Sequence, residues 1–247
     1  MTMPDLFFVD LSHHNTVSDF TKVKAAGLLG IVHKATEGIG FVDSKYASRE
    51  KSATAAGLAW ASYHFLKHGN IASQIDHYLT TIKPEPGARV VIDYEDAACT
   101  LDDLRAAIRR IEQSDASLQI TVYAGHLLKE QLGGKNDPVL ARTSLWIAQY
   151  NNTGPSWPSG TWPTWTAWQF TDKATIAGIN PPTDGNQFNG SRENCLKWFG
   201  PASASARTAQ PEPAFDPAGV TISIDARPGT PVAIVVNGRQ ATAVEAG

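Results

Sequence analysis

The sequence is poor in the features that mark several large protein classes. It has 2 cysteines in 247 residues. Cys99 and Cys195 are far apart and fit no metal or redox motif, so a disulfide scaffold and a Cys-based metal site have no support, and buried free thiols are expected. No apolar run approaches the roughly 20 residues of a membrane-spanning helix. Formal net charge is −3, so there is no basic surplus of the kind that nucleic-acid binding uses. Residues 1–20 lack a basic stretch followed by a long apolar one, so no signal peptide is read. There is no Gly-x-Ser-x-Gly, and Gly133-Gly134-Lys135 lacks the earlier glycine of a phosphate loop. Ser-nucleophile and nucleotide chemistry are therefore unsupported.

What remains is an ordinary globular composition, 42% hydrophobic and 18% charged. It is long enough for one large α/β domain or one domain plus an appendage. Tryptophan is conspicuous: 7 in all, and five of these lie between Trp146 and Trp168.

The most informative stretch is Arg89-Val90-Val91-Ile92-Asp93-Tyr94-Glu95-Asp96. A short apolar run suits a buried strand, and Asp93 and Glu95 mark its carboxyl end. Alternation points both acids the same way, with Cα atoms roughly 6–7 Å apart. Acids aimed into one space repel, so one keeps its proton near neutral pH. Glycosidic cleavage needs that arrangement: one acid to protonate the leaving oxygen, one carboxylate to stabilise or attack the sugar cation. The plainer alternative is a strand end whose acids cap a helix or pair with Lys or Arg. The spacing leaves both the short, retaining and the long, inverting carboxyl separation open.

Along the chain, strand candidates fall at Leu6–Val9, Leu28–Ala35, Leu58–Phe65, Arg89–Ile92, Leu118–Tyr123, Leu145–Tyr150 and Thr164–Phe170, with a weaker eighth near Ile176–Asp184. Helical spacing covers 16–27, 43–56, 71–82, a segment capped by Thr100-Leu101-Asp102-Asp103, 126–132 and 191–199. The first half repeats at about 24–30 residues per unit, which argues α/β with a parallel sheet. Eight strands argue a (β/α)8-type barrel, irregular because the later units are too short for full helices. Reactive groups in such barrels sit at strand carboxyl ends. Asp10, His33, Tyr63, His64, Asp93, Glu95, Tyr123, Gln149, Gln169 and Asp184 all fall there. Residues 1–200 read as this barrel. The Ala/Pro/Ser-rich 201–218 read as a linker, and 219–247 as a small β-rich tail with strands near 220–224 and 232–236 and a turn at Asn237-Gly238. A tail this short cannot build its own core, so docking or self-association is expected of it.

The first 200 residues resemble the glycoside hydrolase family 25 lysozymes, N-acetylmuramidases that are often phage endolysins. Phe8-Val9-Asp10-Leu11-Ser12 resembles the opening motif, and Lys34-Ala35-Thr36-Glu37-Gly38 with Phe41-Val42-Asp43 the second-strand loop. Ala56-Gly57-Leu58 with Tyr63-His64-Phe65 resembles the third unit, and Asp93-Tyr94-Glu95 the catalytic Asp-x-Glu. Leu145-Trp146-Ile147-Ala148-Gln149-Tyr150, Trp168-Gln169-Phe170 and Asp184-Gly185-Asn186-Gln187-Phe188 follow in order. Gln149 stands where the family often has His.

The resemblance implies a peptidoglycan hydrolase cutting the β-1,4 bond between N-acetylmuramic acid and N-acetylglucosamine, without a cofactor or metal. It implies Glu95 as general acid, and Asp93 as the group that stabilises developing positive charge or orients the substrate's N-acetyl group. Asp10 and Asp184 would line the site and set the protonation of Glu95. Tyr63, Tyr123, Trp146, Trp168 and Gln169 would contact sugars or shape the site. For Trp146 and Trp168 core packing is the competing role; for Trp157, Trp162 and Trp165 exposed contact and loop packing compete. The resemblance leans towards retention assisted by the N-acetyl group. It also implies a protein made in the cytoplasm that reaches the wall after release, with bacterial peptidoglycan as partner and neither nucleic acid nor membrane. Two rivals are kept. A metal-dependent polysaccharide deacetylase would use His64, His68, Asp10 and Asp93. A non-catalytic glycan-binding or assembly protein would retain the barrel alone.

Overall fold

The computed structural model describes residues 4–151, 153–157 and 160–201, together with the backbone of 235–236 and 239–240. The chain separates into two compact units, Met1–Gln210 and Pro211–Gly247.

In the first unit the elements run β1 (Phe8–Leu11), α1 (Phe20–Ala25), β2 (Gly30–Glu37), β3 (Phe41–Val42), α2 (Tyr46–Ala55), β4 (Ala59–Phe65), α3 (Ile71–Ile82), β5 (Arg89–Tyr94), α4 (Leu101–Ser114), β6 (Gln119–Ala124) and α5 (His126–Leu132). A 3₁₀ turn (Leu140–Arg142), β7 (Ser144–Ala148), β8 (Ala167–Ala174), β9 (Thr183–Phe188) and α6 (Arg192–Phe199) follow. The strand order β1-β9-β8-β7-β6-β5-β4-β2 closes through β1–β2 pairing into an eight-stranded barrel, and β3 hangs on β2 as a short antiparallel flap.

The pairs from β1 through β8 are parallel, as the repeat predicts. The last strand differs. It is β9, at Thr183–Phe188 rather than ending at Asp184, and it pairs antiparallel with both β8 and β1. The chain between β8 and β9 has room only for a loop, so the strand must return in the opposite direction. Its sequence Thr-Asp-Gly-Asn-Gln-Phe has no apolar run, which is why periodicity misplaces it. Reversal has a functional consequence: the start of β9, not its end, lies at the rim where the parallel strands finish.

Local chemistry explains the helix bounds. Asp19 accepts from the backbone N–H of Thr21 and Lys22, which starts α1 later than apolar spacing alone suggests. Thr100 and Asp103 form the expected reciprocal box at the start of α4: Thr100 Oγ1 accepts from the Asp103 N–H, and Asp103 Oδ2 accepts from the Thr100 N–H at 2.8 Å.

The core has two layers. Outward residues of the parallel strands, such as Val90, Ile92, Ile120 and Val122, pack on α3 and α4 through Ile75, Tyr78, Leu104 and Ile108. Inside the barrel, Phe8, Val32, Val91, Tyr123 and Trp146 meet Cys195, Trp198 and Phe199 from α6. Helix α6 therefore plugs the amino-terminal mouth, leaving only the carboxyl end open. Arg89 holds the plug from within: its Nε donates to the Trp198 carbonyl at 2.8 Å, and its guanidinium lies 5.2 Å from the Trp198 ring. Cys99 and Cys195 are both buried free thiols.

Trp162 is buried, donates its indole N–H to the Thr143 carbonyl at 3.0 Å, and packs edge-on against Trp157. Trp157 and Trp165 are partly buried against the same core, so all three serve loop packing. In the second unit Val235–Val236 pair antiparallel with Arg239–Gln240, and the turn expected at Asn237-Gly238 lies outside the described residues. The linker beyond Pro201 and the strand expected at 220–224 lie outside the described residues.

Gly30 is where plug and barrel meet most closely. A Cβ there would lie 2.5 Å from Phe199 Cζ and 2.8 Å from the Ala59 carbonyl oxygen. Gly30→Ala is predicted to cost about 1–3 kcal/mol by overpacking. The exposed Gly40, with open space around it, should tolerate alanine within about 0.5 kcal/mol. Urea unfolding midpoints at unchanged m-value check both.

Candidate active site

The open end of the barrel holds a cavity of about 170 Å³. Alternation builds it: Val91 and Asp93 share the inward face of β5, with Tyr123 of β6 opposite Asp93 in register and Trp146 of β7 opposite Tyr123. Asp10, Tyr63, Glu95, Gln169 and Asp184 also line it, so of the catalytic and sugar-contacting residues expected from sequence all but Trp168 meet here, and Tyr150 joins them at the rim. Asp184 reaches the rim because β9 runs backwards and begins there.

The four carboxyl groups form two pairs. Asp10 neighbours Asp184, and Asp93 neighbours Glu95, each closely enough to perturb its partner's titration. Two carboxyls in contact share one proton, since both charged forms together would repel in a dry pocket. Asp184 keeps its proton up to about pH 8, because it is buried and faces the charge of Asp10. Burial also raises Asp10, but three neighbours oppose it, namely Asn186, Gln169 and Asp184. Asp93 lies well above the usual range, through burial first and the charge of Glu95 second, with Lys34 acting against both. Glu95 is raised by burial and by Asp10, and lowered by its bond to Asp93. Both members of this pair are therefore raised above the ordinary carboxylate range. Asp93 Oδ1 is buried with no hydrogen-bond partner.

Asp10 is held by a relay of amides. Gln169 Nε2 donates to both its oxygens, at 3.1 and 3.0 Å. The hydroxyls of Tyr123 and Tyr150 donate to Gln169 Oε1 at 2.8 and 2.9 Å, which forces the amide nitrogen towards Asp10. Asn186 Nδ2 donates to Asp10 Oδ2 at 2.7 Å and to the Phe8 carbonyl at 3.3 Å, while Trp146 donates its indole N–H to Asn186 Oδ1 at 2.9 Å. Trp146 is buried under Phe8 and Tyr123, so it forms the floor and aligns Asn186.

Several sequence candidates lie elsewhere. Trp168 does not face the cavity: Gln169 takes the inward position, so its neighbour points outward, where Trp168 packs between Trp165 and Phe170 and donates to the Gln149 carbonyl at 2.7 Å. His33 and His64 face the helices. Burial lowers each to about 4, so both are neutral. Arg49 donates to His33 Nε2 at 3.0 Å, and His64 bonds Thr36 and Gln74. Gln149 accepts from the Ser156 N–H. His64 and His68 do not converge, since His68 pairs with Asp103. Among the described residues no three His, Cys, Asp or Glu side chains are grouped as a metal site.

Two residues escaped the sequence reading. Asn186 lies two residues from Asp184 on the inward face of β9, and Tyr150 two beyond Ala148. Counting by twos from a known inward residue finds both.

A carboxyl whose folded pKa is raised favours folding most below its ordinary value of 3.8, and that contribution is lost as pH rises through about 8. Asp184→Asn keeps a donor towards Asp10 and removes the titration. The variant is predicted to melt roughly 2–8 °C above wild type at pH 8, with the gap closing towards pH 4, in thermal scans across that range.

With this geometry in place, comparisons with known proteins give the family. The model for glycosyl hydrolases family 25 matches residues 9–179. Lysozyme M1 of Streptomyces globisporus is 26% identical over 207 residues, spanning 76% of this chain and 69% of that protein. A bacterial lysozyme of Streptomyces coelicolor shares the fold at a TM-score of 0.66 and 24% identity, over 77% of this chain and 95% of that one. The CTP1L endolysin aligns at a TM-score of 0.63 and 26% identity, over 77% and 68%. The chain belongs to the glycosyl hydrolases of family 25.

Proposed function

We propose that this chain is a muramidase that cuts the β-1,4 bond between N-acetylmuramic acid and N-acetylglucosamine in bacterial peptidoglycan. The observation that carries this reading is the convergence of buried Asp93 and exposed Glu95 with Asp10 and Asp184 on one cavity, where Asp93 Oδ1 is left without a partner.

An N-acetylated sugar supplies the missing partner. Its amide N–H donates to Asp93 and favours the ionised carboxylate there. The proton is then held by Glu95, which burial and the charge of Asp10 raise. Glu95 delivers it to the glycosidic oxygen as the C–O bond breaks. The carbonyl oxygen of the same acetamido group closes on the anomeric carbon, and ionised Asp93 stabilises the positive charge on its nitrogen. Water then opens this ring, giving up a proton to Glu95, and the product keeps the β configuration. Asp10, fixed by Gln169 and Asn186, adds negative potential that keeps the proton on Glu95 until bond breaking.

The setting we propose is a phage or prophage lysin acting on the cell wall after release, in keeping with the endolysin among the similar structures. The tail beyond the linker is proposed as a docking or self-association element.

Mass spectrometry of fragments released from purified peptidoglycan tests the activity. Wild type is expected to release products ending in reducing N-acetylmuramic acid. Glu95→Gln should release them roughly 10²–10⁴-fold more slowly, the usual worth of a positioned general acid. Deacetylated but uncut glycan would overturn the reading in favour of a deacetylase. Intact glycan with wild type would leave only binding.

A further inference from the structure

A row of rings and cations runs from Phe65, beside the cavity residue Asp93, out to β3. Phe65 neighbours Asp93 in the β4–β5 register. Lys34 Nζ stands 4.9 Å from the Phe65 ring centre and 5.4 Å from that of Phe41. Phe41 tilts against His13 at 5.3 Å, and His13 packs on His14 at 3.9 Å. The outer part is bare: Ile39, Phe41 and Val42 are 60%, 40% and 45% exposed. They make up three of the five large exposed hydrophobics among the described residues.

This lip is held firmly. Residues Phe41 and Val42 pair with Glu37 and Thr36, the Phe41 carbonyl accepts from His77, and the Asp43 N–H donates to the Ala35 carbonyl at 2.8 Å. Asp43 in turn accepts from the His13 N–H at 2.7 Å and bonds its ring at 3.0 Å, tying the β1 loop to the flap. A rigid apolar patch facing water, joined to a reactive pocket, is a binding surface in waiting. Its charges are already matched. Lys34 pairs with Glu37, and Lys67, 5.5 Å from the Phe65 ring centre, pairs with Asp96 at 3.0 Å. With the local charges paired among themselves, the bare part of the lip is apolar, and the C–H faces of sugar rings suit Phe41 and Ile39.

We propose that this lip is an extended glycan subsite. It takes N-acetylated sugar units lying beyond the cleaved bond on the β2–β4 side of the pocket, with Phe41 as the stacking platform. The proposal rests on the muramidase reading for the identity of the chain that it holds.

The test uses the full chain and defined peptide-free oligomers of alternating N-acetylglucosamine and N-acetylmuramic acid, from the shortest one cleaved to one four units longer. Wild-type kcat/KM should rise with length. Phe41→Ala should lower the long-to-short ratio of kcat/KM about tenfold, through KM, and Phe41→Trp should preserve it. In Glu95→Gln, which keeps the glycan whole, the His13 and His14 ring NMR signals should shift with the long oligomer and not with the short one. An equal loss at every length, or an unchanged ratio, would overturn the subsite. A loss seen only with peptide-bearing glycan would assign the lip to the stem peptide instead. If no oligomer is cleaved yet the histidine signals still shift, the muramidase reading falls and the glycan subsite stands.

Discussion

Carboxyl groups crowded around one cavity repel when charged together, and here four of them meet. The repulsion and burial push all four, Asp10, Asp93, Glu95 and Asp184, above the ordinary carboxylate range. The two pairs differ in what surrounds them. Asp10 is surrounded by amide donors from Gln169 and Asn186, which favour its charged form and leave the proton to Asp184. Asp93 has no such donors and keeps an unpartnered oxygen. One pair is locked, and the other is poised to move its proton when an amide-bearing ligand arrives.

The barrel exists, in functional terms, to enforce this contrast. Closure of the sheet places inward residues of different strands in one layer, so that residues 10, 93, 169 and 184 meet despite their separation in sequence. Helix α6 stops the other mouth with Trp198 and Phe199, and Trp146 floors the cavity. These aromatic layers keep water away from one side of the acids and strengthen every charge effect above them. The hydroxyls of Tyr123 and Tyr150 add direction by fixing which end of the Gln169 amide faces Asp10. Tyr150 is half exposed at the rim, so the same residue that steers Gln169 also borders the entrance.

Much of this was legible from residue order. The parallel strands announce themselves as apolar runs ending in polar residues, and Asp93 and Glu95 follow from alternation at the end of β5. Strand β9 was legible only in part. Its inward side chains are Asp184, Asn186 and Phe188, so two of three are polar and no apolar pattern remains. Trp168 shows the opposite failure. An aromatic beside Gln169 in a sugar-cleaving barrel suggests contact with sugar, yet parity puts it outside the barrel. His64 sits near the end of β4 while His33 lies mid-strand in β2, and parity turns both to the helices, where burial keeps them neutral. The proton arrangement was beyond the sequence. Four acids in one pocket imply a raised pKa, but that Asp93 is raised as well as Glu95 depends on burial and neighbours that only the assembled barrel supplies.

The central claim is that substrate binding moves one proton from Asp93 to Glu95. Carboxyl-carbon NMR of the active protein, labelled at Asp and Glu side chains, reads this directly, with an uncleavable N-acetylated thioglycoside as ligand. The account predicts that near neutral pH Asp93 is protonated and Glu95 ionised in the free protein, and that the two exchange states when the ligand is bound. An ionised Asp93 in the free protein, or a proton that stays on Asp93 in the complex, would contradict it.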